Sequence, residues 1–161
     1  MISIKEEYSV LADKHVQDDA GRASVRILLV DDLEPFRSVT ASIFKKYPKF
    51  QIVGVAVDGQ EAVQKAQELK PDLVVMDIGL PKLSGIEAAR QIRSVSPDSK
   101  ILFFTGNDFP QIVREALEAG TGGYVIKIDG ASELLAAVDA VLQGRRYVSK
   151  GLADRGFLGD S

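Results

Sequence analysis

Apolar residues fall in short solid runs rather than in single alternation. Arg26-Ile-Leu-Leu-Val30, Asp72-Leu-Val-Val-Met76, Lys100-Ile-Leu-Phe-Phe104 and Gly123-Tyr-Val-Ile126 are four such runs, and Phe50-Gln-Ile-Val-Gly-Val-Ala-Val57 is a fifth. A strand whose two faces are both apolar is buried on both, which is the signature of a parallel sheet covered by helices. Helical patterns lie between the runs. One starts at Glu34-Pro35, where proline suits a first helical position, and reaches about Tyr47. A second opens at Asp58-Gly59 and stops at Lys70, before Pro71. A third covers 85–95, with Ile86, Ala89 and Ile92 or Arg93 at helical spacing, and a fourth runs from Pro110 to Gly120. A fifth runs from a Ser132 cap to Gly144, with Leu134, Leu135, Val138, Val141 and Leu142 as a wide apolar stripe. Five βα units in succession predict an α/β chain with a doubly wound parallel sheet, helices on both faces and right-handed crossovers.

The residues that close the runs carry the chemistry. Ligands of such sheets bind just beyond the carboxyl ends of the strands. Asp31 and Asp32 follow Val30, Asp77 follows Met76, Thr105 follows Phe104 and Lys127 follows Ile126. The topology therefore predicts one rim holding three acids, a hydroxyl and an ammonium, a set suited to a divalent metal and a phosphoryl group. Taken singly, each has a plainer role. Paired aspartates after a strand are ordinary turn or cap residues, as Asp77 is before a loop with Pro81 and Gly85. Thr105 reads as a turn-facing hydroxyl, Lys127 as an exposed charge before Asp129-Gly130, and Tyr124 as core. Their joint arrival at strand ends favours the chemical reading.

Composition narrows the class. The 161 residues, 45% of them hydrophobic, allow one domain with a substantial core, placed at 25–144. Residues 1–24 form an N-terminal extension in which Ile4, Tyr8 and Leu11 suit either a short docking helix or a frayed tail. Residues 145–161, with Arg145, Arg146, Lys150 and Arg155 among glycines, read as a tail or the start of a linker. No apolar stretch nears the roughly 18 residues of a membrane span, and no signal-peptide pattern opens the chain, so a cytoplasmic location is expected. Cysteine is absent, which removes disulfide scaffolds, thiolate zinc sites and cysteine nucleophiles. The net charge of -3 argues against a dominant nucleic-acid surface. His15, the single histidine, falls outside the fold and reads as solvated. Gly120-Thr-Gly-Gly123 precedes a strand and lacks the Lys-Ser/Thr ending of a phosphate loop, so it reads as a turn.

The ordered set Leu29-Val-Asp-Asp32, Met76-Asp-Ile-Gly-Leu-Pro81 with Ser84-Gly85, Thr105 and Tyr124-Val-Ile-Lys127 resembles the receiver domain of bacterial two-component response regulators. The subgroup that usually carries a C-terminal LuxR/NarL-type helix-turn-helix is the nearest in pattern. The resemblance covers about residues 25–144 and implies a flavodoxin-like, CheY-like (βα)5 fold with five parallel strands in the order 2-1-3-4-5. It makes Asp77 the phosphoacceptor, Lys127 the phosphate-binding lysine, Thr105 the switch hydroxyl and Tyr124 the switch aromatic. It also implies Mg held by Asp31, Asp32, Asp77 and the Gly79 backbone carbonyl, with Asp31 bound directly or through water. The implied phosphoryl source is a histidine kinase or phosphotransfer protein, and the implied output is a changed surface over residues 106–143. Phosphate is expected to draw Thr105 inward and let Tyr124 follow. A homodimer formed on phosphorylation is one expected output, without direct nucleic-acid or membrane contact by this chain.

Departures from the pattern carry expectations too. Gly106 stands where alanine is usual and should loosen the following loop. Ile128 stands where many relatives have proline, so a trans bond is expected after Lys127. Gly79 leaves the path of an attacking water unshielded, and Asn107 is placed to orient that water. The 17 residues after Gly144 are too few for a helix-turn-helix module, so the alternative is the receiver part of a DNA-binding transcriptional regulator. A hydrolase with an aspartate nucleophile is the third class, but its second acid belongs where Gly79 stands. The chain is therefore read as a phosphoacceptor that catalyses only its own phosphorylation and dephosphorylation, not as an enzyme acting on other substrates.

Overall fold

In the computed structural model, which describes residues 24–157, the five predicted strands form one parallel sheet. They are β1 (Val25–Val30), β2 (Phe50–Ala56), β3 (Leu73–Met76), β4 (Lys100–Thr105) and β5 (Gly123–Ile126). Helices α1 (Glu34–Lys45), α2 (Gly59–Leu69), α3 (Gly85–Val95), α4 (Pro110–Glu118) and α5 (Gly130–Leu142) connect and follow them. Successive strand residues face opposite sides, so each strand feeds two cores. Leu28, Val30, Val74, Met76, Ile101, Phe103 and Tyr124 pack beneath α2, α3 and α4. Ile27, Leu29, Leu73, Val75, Leu102, Phe104 and Val125 pack beneath α1 and α5. Solid apolar runs are thus explained: β3 is buried at all four positions. Asp58 caps α2 by accepting the Glu61 N–H at 2.8 Å, and Ser84 caps α3 through Glu87 N–H.

The segment read as a tail adds to the sheet. Tyr147–Val148 forms β6, parallel to β5, giving the order β2-β1-β3-β4-β5-β6. A short helix, α6 (Lys150–Ala153), follows, and Val148, Leu152 and Phe157 join the α2–α4 core. The five-strand expectation is therefore extended by one strand of two residues. A second correction concerns α5, which starts at Gly130 rather than after a Ser132 cap. A 3-10 turn at Lys127–Asp129 carries the chain from β5 directly into the helix, so Ser132 lies inside its first turn. Helices α1, α2, α4 and α5 end one or two residues earlier than the sequence suggested, because the last turn of each opens out before the expected stop. No described peptide bond is cis, so Lys127–Ile128 is trans. The expected helix or tail before residue 24, and His15, lie outside the described residues. No helix among the described residues is long and apolar enough to cross a membrane.

Candidate functional site

The four strand ends that matter, those of β1, β3, β4 and β5, open on one rim. Val30 stands beside Met76, Met76 beside Phe103, and Thr105 beside Ile126, so residues one step further meet in space. The Asp77 N–H donates to Val30 O at 3.0 Å, which fixes Asp77 next to Asp31. The carboxylates of Asp31, Asp32 and Asp77 offer oxygens within 4.8 Å of one another.

Asp77 is held on both of its oxygens. Its Oδ1 accepts the Thr105 hydroxyl at 2.5 Å and the Ile78 N–H at 2.7 Å. Its Oδ2 accepts Lys127 Nζ at 3.2 Å. The same ammonium lies nearer to Asp31 Oδ2, at 2.7 Å, so Lys127 bridges two acids rather than pairing with one. The Phe36 ring sits 4.3 Å from that ammonium and braces it by a cation–π contact. Asp31 Oδ1 accepts the Leu33 N–H, and the Arg37 guanidinium donates to the Asp31 carbonyl at 2.8 Å. The predicted turn role of Asp31 is therefore present alongside its place in the cluster. Neither Asp31 nor Asp32 caps α1, which has Leu33 at that position without a side-chain bond.

The donor set can be tested against a cation. Three carboxylates face one ammonium, leaving two net negative charges, and every candidate ligand is oxygen. Among the described residues no side-chain partner holds the Asp32 carboxylate, and no hydrogen bond reaches the Gly79 carbonyl. Hard oxygen donors with uncompensated charge suit a small divalent cation. At the bottom of the loop, Gly85 lies so close that a Cβ there would stand 2.2 Å from the Asp77 carbonyl oxygen. Only glycine permits α3 to start against the Asp77 backbone.

Thr105 and Tyr124 also lie inward. Thr105 is 1% exposed with its hydroxyl on Asp77, using the carboxylate itself as acceptor. Tyr124 is fully buried, and its hydroxyl donates to the Asn107 carbonyl at 2.6 Å. Burial raises the Tyr124 pKa above its ordinary value, and the charges of Asp77 and Asp108 add to the rise. Both inward positions thus have protein acceptors. Asn107 is committed as well, since its Oδ1 accepts the Phe109 N–H at the start of α4. That contact uses one lone pair of the amide oxygen and leaves the second, with the Nδ2 hydrogens, able to meet a water. A Cβ at Gly79 or Gly106 would meet nothing, so both positions are open, and neither has a positive φ. Sequence reading missed Phe36, Arg37 and the structural need for Gly85. Phe36 lies in the first turn after Asp31-Asp32, which was the available signal.

This geometry agrees with comparisons against known proteins. The Response regulator GacA of Pseudomonas viridiflava is 35% identical over 131 residues, 81% of this chain and 61% of the relative. The chain thus spans about three fifths of that curated relative's length. A crystal structure of a LuxR-family two-component response regulator from Aurantimonas sp. SI85-9A1 matches with a TM-score of 0.78 and 39% identity. That match covers 82% of this chain and 94% of the other. A chain in the crystal structure of the CheX–CheY–BeF3–Mg complex from Borrelia burgdorferi matches with a TM-score of 0.71 and 27% identity, covering 77% and 92%. Residues 27–139, which carry every strand-end group described above, match the response regulator receiver domain, and the chain belongs to that family.

Proposed function

We propose that this chain accepts a phosphoryl group on Asp77 from a histidine kinase or phosphotransfer protein, in a Mg-dependent reaction in the cytoplasm. The observation that carries the reading is the Asp77 carboxylate, held by Thr105 and the Ile78 N–H on one oxygen and by Lys127 on the other. An Asp77 oxygen forms the new bond to phosphorus while the donor's bond to phosphorus breaks, its electrons leaving with the donor. Lys127 remains protonated and balances charge on the transferred oxygens, and the Thr105 hydroxyl turns to donate to one of them. Asp31, Asp32, Asp77 and the Gly79 carbonyl would hold Mg, whose chemistry is to offset negative charge on nucleophile and phosphoryl group together.

Signalling then rests on population. A phosphoryl oxygen is a stronger acceptor for Thr105 than a carboxylate already shared with Ile78, so phosphorylation favours the inward Thr105–Tyr124 arrangement over competing ones. The surface formed by α4, β5 and α5 repacks with it, acting on a second copy or a separate partner. A second reading, the receiver part of a DNA-binding regulator, is favoured by the likeness to a LuxR-family regulator and by covering only 61% of GacA.

Intact mass after incubation with Mg and a small phosphodonor tests the proposal. The chain should gain one phosphoryl group, and Asp77→Asn should gain none. Equal gain by both proteins would overturn the assignment of Asp77.

A further inference from the structure

Ser149 lies beyond the family match at 27–139, in the segment the sequence reads as a tail, yet it is fully buried. Its hydroxyl accepts the Ile126 N–H at 2.8 Å, and its own N–H donates to Tyr124 O at 2.9 Å. One residue thus grips β5 at two points, one on Tyr124 and one immediately before Lys127. Lys127 then opens a 3-10 turn that has no side-chain cap, so the Ser149 bond on one side and the pairing with β4 on the other fix how the chain leaves β5. The lysine reaches Asp31 and Asp77 from that exit.

The rest of the segment is anchored independently. Val148 and Leu152 are 4% and 1% exposed. The Lys150 N–H donates to Glu133 on α5 at 2.9 Å. Arg155 pairs with Asp108 at 3.8 Å, in the loop between Thr105 and α4. The segment therefore touches the loop before α4, β5 and α5 together.

We propose that Ser149 is a positioning residue for the phosphoryl site, setting the reach of Lys127 toward Asp77. By reciprocity, displacement of Lys127 or Tyr124 is felt at Ser149 and by the chain that follows it. Tyr147–Phe157 is then part of the switching unit rather than a spacer. The inference rests on the reading of Asp77 as phosphoacceptor for its kinetic arm alone.

The test compares Ser149→Ala with Ser149→Thr, which keeps the hydroxyl, under conditions where urea titration shows both folded. Two readouts are taken. One is acylation of Lys127 by a small N-hydroxysuccinimide ester, followed by peptide mass. The other is phosphorylation over a range of small-phosphodonor concentrations. Ser149→Ala should label Lys127 several-fold faster and lower the maximal phosphorylation rate about tenfold, the scale of one lost buried hydrogen bond, at unchanged half-saturating donor. Ser149→Thr should stay near the parent in both. Parent-like behaviour of Ser149→Ala, or equal defects in the two variants, would overturn the proposal. If the parent takes no phosphoryl group while labelling rises in Ser149→Ala alone, the positioning role stands and the reading of Asp77 fails. Should Ser149→Ala not fold, Lys127→Met supplies the reciprocal measurement: its Ser149 amide resonance should shift, and an unmoved resonance would overturn the proposal.

Discussion

Lys127→Met is expected to slow phosphorylation of Asp77 by about a hundredfold or more, the usual cost of removing one preorganised charge partner. It should also tighten binding of a divalent cation. The two effects have opposite signs because one ammonium serves two purposes. At 2.7 Å from Asp31 and 3.2 Å from Asp77 it competes with a cation for the same oxygens. Its removal raises the local charge from two net negatives to three. For partly exposed groups a unit charge at this range is worth on the order of 1–4 kcal/mol, so about a tenfold gain in cation affinity is expected. Methionine keeps a side chain of similar length while removing the ammonium that lies over the Phe36 ring. Phosphodonor kinetics by intact mass and isothermal titration with Mg check both halves. Cation affinity that falls along with the rate would show that Lys127 maintains the cluster rather than competing within it.

Leu152→Ala should lower stability by about 2–4 kcal/mol, the range for truncating a fully buried leucine. Leu152 is 1% exposed and shares the core of Val113, Ala116 and Tyr124, although it stands in a helix of four residues. Urea unfolding followed by circular dichroism should show a lower midpoint at unchanged slope. A midpoint equal to the parent's would mean that α6 contributes nothing to the folded domain.

The sequence-level picture succeeded where a residue's position follows from strand geometry alone. A run that is apolar on every residue must be buried on both faces, and its terminal polar residue then emerges at the rim. Asp31, Asp77, Thr105 and Lys127 are all of that kind, and they meet. Legibility failed where tertiary packing overrides local pattern. Two residues, Tyr147 and Val148, are too short for any periodicity, and Leu152 and Phe157 stand singly among glycines and charges, so β6 and α6 left no signal. Ser132 has the chemistry of a cap, but the turn at Lys127–Asp129 starts α5 before reaching it. Arg37 reaches the Asp31 carbonyl through a long flexible stem, a contact that spacing does not encode. Asn107 also starts α4 through its Oδ1, a local side-chain-to-backbone contact that residue type alone does not announce.

The six-strand order also limits how two copies can join. A sheet margin with free backbone groups is a template for adding a strand from another molecule. Here β2 forms one margin, and its register slips so that Ile27 faces Ile52 while Leu28 faces Gly54, leaving Val53 as an extra residue that breaks the ladder. At the other margin β6 has two residues before the chain turns into a helix. Among the described residues neither border offers a long, unbroken ladder, which favours contacts between copies through side chains on helical faces over continuing the sheet from one molecule into the next.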